Sequence, residues 1–182
     1  KGLFFSSLHE MGHALYEQNS PPEWDRSPLC GGISLGIHES QSRLWENIVG
    51  RSEGFWTWAH PQLAAAFPGR FDAGATAFHR AVNKVEPGPV RIGSDELTYN
   101  LHILVRFELE CEVLTSRVAA RELPDAWNAK VEQYLCITPP HDGLGVLQDV
   151  HWSRVSFGYF PTYATGNLIG GQVWARLTED LG

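Results

Sequence analysis

Near its beginning the chain carries the pattern His-Glu-x-x-His, at His9, Glu10 and His13. Apolar residues between Leu3 and Gln18 recur at helical spacing, so we expect a helix over this stretch. Four helical residues turn through about 400° and rise about 6 Å, which stacks His9 and His13 on one face. Two imidazoles placed in this way can bind one zinc ion. Glu10 lies about 100° round from His9 and is better placed to activate a water molecule.

A catalytic zinc ion needs a third protein ligand and one open position for water. The longer zincin pattern His-Glu-x-x-His-x-x-Gly-x-x-His is excluded, because Tyr16 and Asn19 stand where it needs glycine and histidine. The nearest candidates are Glu39 and His38, and a more distant histidine is also open. Glu39, at the start of a second predicted helix, would complete a site of two histidines and one glutamate.

The rest of the chain is predicted to be mostly helical, with two short strands. Ile33–Ile37 alternates apolar and small residues and predicts a short strand, and Val90–Ile92 predicts a second one. Ser94 and Asp95 predict the start of the longest helix, which Pro124 would end. Its expected buried face consists of Leu97, Leu101, Leu104, Cys111, Leu114 and Val118.

Composition narrows the class of protein. A chain of 182 residues is long enough for one domain with a substantial core. Its net charge of −7, with acidic and basic residues mixed, argues against a nucleic-acid or membrane-surface partner. No apolar run is long enough to span a bilayer. The three cysteines, Cys30, Cys111 and Cys136, are odd in number and widely spaced, which indicates a reducing compartment. We therefore expect a single domain over residues 1–182 and a cytoplasmic location.

Several motifs together resemble the M32 family of metallocarboxypeptidases, the thermostable carboxypeptidase Taq type. They are His9–His13, His38–Ser42, Val90–Asp95 and Gly145–Trp152, followed by Gly158–Tyr163. The resemblance covers nearly the whole chain. It implies a mainly α, zincin-like metallopeptidase domain with a small β-sheet beside the active site, related in architecture to the angiotensin-converting enzyme and neurolysin group. It also implies that the chain is a short form or fragment that lacks the family's N-terminal half.

The resemblance also implies roles for individual residues. His9, His13 and Glu39 would bind the metal, and Glu10 would be the catalytic base. The expected metal is Zn²⁺, with Co²⁺ as a substitute, and the expected reaction is the release of C-terminal residues from peptides.

Further residues carry groups suited to binding a peptide and its developing negative charge. Donors for the oxyanion are expected from His151, Tyr159 and Tyr163. Arg91 is the first choice for a terminal carboxylate, because its planar guanidinium matches one. Gln148 and Asp149 could orient the substrate backbone or a metal-binding imidazole.

Three functions are compared. The first is an active zinc peptidase acting on peptide substrates. The second is a short homologue that binds zinc but is catalytically weak or altered in specificity, because loss of substrate positioning can lower a rate by orders of magnitude. The third is a helical interaction module in which the histidine pattern is accidental. Exposed aromatic residues could in addition favour a homodimer.

Overall fold

The computed structural model describes residues 2–181. Within this range the chain forms seven α-helices: α1 Gly2–Gln18, α2 Leu35–Arg43, α3 Glu53–Ala66, α4 Ala75–Val82, α5 Glu96–Leu114, α6 Leu123–Leu135 and α7 Pro161–Leu181. A π-helical segment, Leu44–Val49, follows α2 directly, and short 3-10 turns lie in several connections. None of the helices described has the length and apolarity needed to cross a membrane.

The mainly helical class is confirmed, whereas the expected small β-sheet is wrong for residues 2–181, which contain no strand. The segment Ile33–Ile37 instead begins a helix. The Ser34 side chain accepts a hydrogen bond from the backbone N–H of Ile37 at 3.2 Å and caps α2. Alternation had predicted a strand here, but it reflects no buried face, since Ile33 is 87% exposed. Val90–Ile92 likewise leads into a 3-10 turn at Arg91–Gly93.

The predicted helix start at Ser94 and Asp95 is confirmed, but the predicted end of this helix, α5, is wrong. It is also not the longest helix, since α5 has 19 residues and α7 has 21. Asp95 accepts a hydrogen bond from the Thr98 backbone N–H at 2.8 Å, which caps α5. The helix ends at Leu114, ten residues before Pro124. Pro161 is the first residue of α7, as expected for a residue whose fixed φ suits the first helical turn.

The described residues divide into two compact units. Residues 2–84 and 165–181 form the first, and residues 85–164 form the second. The first unit buries Phe5, Trp56 and Val82 at its centre, and the second buries a cluster around Val105 and Trp127. A single catalytic domain over the whole chain stays a prediction.

In the first unit, α1 and α2 lie in backbone contact at Gly12. A Cβ atom at this position would stand 2.5 Å from the Gln41 carbonyl oxygen and 2.6 Å from the Ser42 Cα. No real side chain tolerates such distances to backbone atoms. Gly12 therefore permits the close approach of the two helices that carry the histidine pattern and Glu39.

In the second unit, the predicted apolar face of α5 is not the buried one. Leu97 is 70% exposed and Leu114 is 64% exposed. The buried face instead carries Thr98, Tyr99, His102, Ile103, Val105, Arg106, Leu109 and Glu110. The charged side chains on this face are tolerated because they have partners. Glu110, for example, accepts hydrogen bonds from the Trp152 indole at 2.8 Å and from the Gly158 backbone at 3.0 Å.

Candidate functional site

Helices α1 and α2 bring three potential metal ligands together. His9 and His13, one turn apart on α1, point their Nε2 atoms toward each other at 3.2 Å. Glu39 on α2 lies against both, with Oε1 3.8 Å from His9 Nε2 and Oε2 3.6 Å from His13 Nε2. Each of the three side chains offers one ligand atom, and these atoms all lie within 4.8 Å of one another. Among the described residues, no other group of three His, Cys, Asp or Glu side chains has this geometry.

The three side chains fit a divalent cation. Nitrogen ligands about 2.0–2.1 Å from a tetrahedral zinc ion are separated by roughly 3.3–3.4 Å, close to the observed Nε2 separation. Glu39 is only 4% exposed, and its Oε1 has no hydrogen-bond partner in the described structure. Burial raises the pKa of the Glu39 carboxyl, because it removes the charged form from water, although the charges of His9 and Arg43 act in the opposite direction. A cation at this position would satisfy the unpaired carboxylate oxygen.

The ring nitrogen of His9 that faces away from His13 also has a partner. His9 Nδ1 lies 2.9 Å from Glu46 Oε2, and Arg43 Nη1 donates to the same oxygen at 2.8 Å. Although burial opposes it, the hydrogen bond to Glu46 and the charge of Glu39 raise the pKa of His9. Burial, with the neighbouring rings of His9 and His38, lowers the pKa of His13.

The sequence left three alternatives for the third ligand, and the structure brings Glu39 to the pair. His38 lies behind His13, with the two Nδ1 atoms 2.6 Å apart, and its Nε2 lies 2.7 Å from Glu17 Oε1. Both ring nitrogens of His38 are therefore engaged away from the centre of the cluster. Glu10, the expected base, lies on α1 next to His9 with its side chain exposed.

The expected substrate-binding residues lie in the second unit, around a buried carboxylate. Asp149 lies between two guanidinium groups, 2.7 Å from Arg91 Nη2 and 2.6 Å from Arg106 Nη2. Although burial opposes it, the charges of Arg106 and Arg91 lower the pKa of Asp149. Arg91 also donates to the Tyr99 hydroxyl at 2.9 Å. Three of the five N–H groups of Arg91 thus bond to Asp149 and Tyr99.

The Gln148 side chain forms hydrogen bonds with the backbone at Arg91 and at nearby residues. Its Oε1 accepts from the Arg91 N–H at 2.9 Å, and its Nε2 donates to the carbonyl oxygens of Pro89, Leu144 and Gly145. These contacts use the whole amide group within the protein. Arg91, Gln148 and Asp149 thus lie together and bond to one another, and their role in binding a substrate stays a prediction.

The three expected oxyanion donors are also neighbours. His151 Nε2 lies 3.1 Å from the Tyr163 hydroxyl, and the rings of His151 and Tyr159 lie 5.5 Å apart. His151 Nδ1 is buried, has no hydrogen-bond partner among residues 2–181, and lies 3.9 Å from Asp149 Oδ1. Burial, followed by the charge of Arg91, lowers the pKa of His151, which favours the neutral ring at neutral pH.

Sequence reasoning missed several partners of these residues, namely Glu17, Glu46, Tyr99, Arg106 and Glu110. A signal for two of them was present, because His102, Arg106 and Glu110 recur every four residues along α5. Assigning the buried face by apolar residues alone concealed that polar stripe. Glu17 carries a similar signal, because His9, His13 and Glu17 also recur every four residues along α1. Glu46 carries none, since its partner His9 is distant in the sequence.

Comparison with known proteins places this chain in a family. The family model described as carboxypeptidase Taq (M32) metallopeptidase matches residues 1–182. The chain is 49% identical over 178 residues to thermostable carboxypeptidase 1 of Thermus thermophilus, covering 98% of the chain and 35% of that protein. It is 44% identical to carboxypeptidase 1 of Bacillus subtilis, covering 97% of the chain and 36% of that protein.

Solved structures agree with these matches. A Pyrococcus furiosus carboxypeptidase structure superposes with a TM-score of 0.94 at 42% identity, covering 97% of this chain and 36% of that one. The M32 carboxypeptidase of Deinococcus radiodurans gives a TM-score of 0.90 at 47% identity, with coverages of 94% and 35%. The chain therefore spans about a third of the length of the relatives that it matches.

Proposed function

Because this chain belongs to the carboxypeptidase Taq (M32) family of metallopeptidases, we propose that it hydrolyses peptide bonds with a zinc ion and releases C-terminal residues from peptides. The observation that carries the proposal is the convergence of His9, His13 and Glu39 in the first unit, with Glu10 beside them on α1. Cobalt is the expected substitute for zinc. Peptides are the proposed partner class, and a homodimer stays a prediction.

In this proposal the chain's own groups bind the ion and move the proton. His9 and His13 present Nε2 lone pairs, and Glu39 presents a carboxylate oxygen. The chemistry that zinc or cobalt supplies when bound is Lewis acidity, which lowers the pKa of water and polarises a carbonyl oxygen. Glu10 accepts the proton of the attacking water at its carboxylate and donates it to the departing amine nitrogen.

We propose that hydrogen-bond donors of the second unit, and Arg91 in the same unit, bind the peptide substrate. His151, Tyr159 and Tyr163 carry N–H and O–H donors of the kind that stabilise a tetrahedral oxyanion. Arg91 keeps two N–H groups beyond those bonded to Asp149 and Tyr99, and these suit a substrate carboxylate. Gln148 and Asp149 then support the substrate indirectly, by holding Arg91 in place.

The second function compared above, a homologue that binds zinc but is catalytically weak or altered in specificity, stays a prediction. Such a protein would bind zinc while positioning peptides poorly. Misplaced substrate can lower the rate by about two orders of magnitude or more, even where the reacting groups are intact. The two functions therefore differ in turnover and agree in metal content.

The test compares the chain with Glu10→Gln, each loaded with zinc or cobalt, on blocked peptides that have either a free or an amidated C-terminus. We expect Glu10→Gln to keep its metal and to lose activity by about 10²–10⁴-fold, because the base is removed. The exposed Glu23→Gln serves as a matched control and should keep full activity. Equal activity of the chain and Glu10→Gln would refute the mechanism.

Metal analysis separates the remaining functions. Stoichiometric zinc that is lost in His13→Ala excludes an accidental histidine pattern. Zinc binding without measurable peptidase activity would support the catalytically weak homologue. Cleavage of free but not amidated C-termini would support the carboxypeptidase.

A further inference from the structure

A continuous chain of hydrogen-bonding groups runs from the surface to the candidate metal cluster through Glu17, His38 and His13. Glu17 Oε1 lies 2.7 Å from His38 Nε2, and His38 Nδ1 lies 2.6 Å from His13 Nδ1. The Glu17 side chain is 46% exposed, while those of His38 and His13 are 26% and 24% exposed. Neither Glu17 nor His38 belongs to the metal cluster itself.

The proton positions along this chain follow from the carboxylate at its outer end. An ionised carboxylate only accepts hydrogen bonds, so His38 must carry its proton on Nε2. A neutral imidazole has one N–H, which leaves His38 Nδ1 as an acceptor. His13 then donates from Nδ1, and its Nε2 keeps a lone pair that faces His9 Nε2 at 3.2 Å. Without a metal, this lone pair can accept a hydrogen bond from His9 when the His9 ring carries a proton on Nε2.

The opposite arrangement of protons is unfavourable. If His13 carried its proton on Nε2, a neutral His38 ring would have to donate from Nδ1 and would turn a lone pair toward Glu17. Two acceptors would then face each other at 2.7 Å. The charge on Glu17 therefore selects the form of His13 that can bind a cation.

The ring of His38 is held in place by its surroundings. A Cβ atom on Gly32 would stand 2.5 Å from His38 Cδ2, so the loop backbone lies directly against the ring. The Gly32 N–H donates to Glu17 Oε1 at 3.1 Å, which ties this loop to the same carboxylate. The Tyr16 ring meets the His38 ring edge-on, with centroids 5.5 Å apart. These contacts keep His38 Nδ1 directed at His13.

We propose that Glu17 and His38 are positioning residues that hold His13 in the Nδ1–H form and thereby set the affinity of the cluster for a divalent cation. The proposal rests on the proposed function in that the same cluster binds the ion. Removal of an outer partner of a metal-binding histidine typically weakens metal binding by about 10–100-fold.

The experiment uses two substitutions of His38 that should lower zinc affinity to different extents. In His38→Asn the amide oxygen can stand where Nδ1 accepts from His13, although the ring is lost. In His38→Leu the volume is largely kept, but the acceptor is lost. We expect zinc affinity, measured by chelator competition, to fall about 10–100-fold in His38→Leu and by less than about threefold in His38→Asn.

The same logic gives a pair of substitutions at Glu17. Glu17→Leu removes the acceptor and should weaken zinc binding, whereas Glu17→Gln keeps an acceptor oxygen and should weaken it less. Glu108 serves as a matched control, because this partly exposed carboxylate also accepts two hydrogen bonds, from Lys130 and Tyr134. Glu108→Gln should bind zinc as the unmodified chain does.

A second measurement tests the proton positions without any metal. The ¹⁵N chemical shifts of the His13 ring in the metal-free chain should show a protonated Nδ1, and His38→Leu should shift the population toward protonated Nε2. A protonated Nε2 in the unmodified chain would overturn the proposal. So would zinc affinity that His38→Leu retains and His38→Asn loses, which is the result expected if the ring matters only for packing.

These outcomes also distinguish the proposal from the proposed function. If the unmodified chain fails to bind zinc or cobalt, the proposed metal centre is refuted, and the ¹⁵N shifts of His13 still decide whether Glu17 and His38 control its proton. If the chain binds zinc with the same affinity in every variant, the metal centre stands and the positioning role is refuted.

Discussion

The contact between α1 and α2 at Gly12 provides a sharp test of how the metal cluster is assembled. In Gly12→Ala the new Cβ would lie 2.5 Å from the Gln41 carbonyl oxygen and 2.6 Å from the Ser42 Cα. Ordinary van der Waals contact begins at 3.4 Å. Since both opposing atoms belong to the backbone, the two helices must separate locally by roughly 1 Å to admit the methyl group.

The size of the effect follows from two opposing contributions. Overpacking a well-packed contact costs about 1–3 kcal/mol. Replacing a helical glycine by alanine returns up to about 1 kcal/mol. We therefore expect Gly12→Ala, with the full gain included, to lower the free energy of unfolding by up to about 2 kcal/mol, and Tm by up to roughly 8 °C for a chain of this size.

The same displacement should weaken the metal site. His13 adjoins Gly12 on α1, and its Nε2 lies 3.6 Å from Glu39 Oε2 on α2. Ligand geometry tolerates errors of only about 0.5 Å. A separation larger by 1 Å exceeds that tolerance, so zinc affinity should fall by at least about tenfold.

Urea denaturation and chelator competition measure both effects, and α7 offers a control. A Cβ on Gly171, also inside a helix, would meet no atom of the described part of the chain within 4 Å. Gly171→Ala should therefore be more stable than the unmodified chain by up to about 1 kcal/mol, with unchanged zinc affinity. A Gly12→Ala variant as stable as Gly171→Ala, with unaltered zinc binding, would refute the steric argument.

Two further predictions concern the second unit. Asp149→Asn leaves Arg91 and Arg106 without their counter-charge and should lower the free energy of unfolding by about 3–5 kcal/mol, as measured by urea denaturation at neutral pH. Burial, then the charges of Arg106 and Arg91, lowers the pKa of His102 to about 4, so the unfolded chain binds more protons below pH 6.5. The contribution of His102 to the free energy of unfolding is complete above pH 6.5 and should fall by up to about 3 kcal/mol as the pH drops to 4. In unfolding titrations at a series of pH values, His102→Leu should lack this fall. An identical pH dependence in both proteins would contradict the assignment.

The candidate metal cluster was the part of the molecule most readily predicted from sequence. His9 and His13 share a helix, and a spacing of four residues determines their common face wherever that helix packs. The role of Glu39 was harder to predict, since spacing alone did not choose between Glu39 and His38 as the third ligand. The two residues are adjacent in the chain, and the packing of α2 against α1 decides which of them meets the histidine pair.

The predictions that were wrong depended on packing or capping that the local pattern does not reveal. Alternation at Ile33–Ile37 suggested a strand, but the Ser34 cap begins a helix there. Apolar residues suggested one face of α5, but the opposite face is buried because Asp149 and other distant groups neutralise its polar side chains. Such compensation is invisible until those partners are brought together.

By itself, the sequence determined the helical class, the family, the paired histidines and the cap at Asp95, since each depends on residues close together along the chain or on a family pattern. Only the tertiary structure decided that Glu39 lies against His9 and His13, that Glu17 and His38 lie in line with His13, and that Asp149 joins Arg91 to Arg106. The physical reason is that hydrogen bonds and ion pairs act over a few ångströms, whereas their partners here stand up to 58 residues apart in the chain.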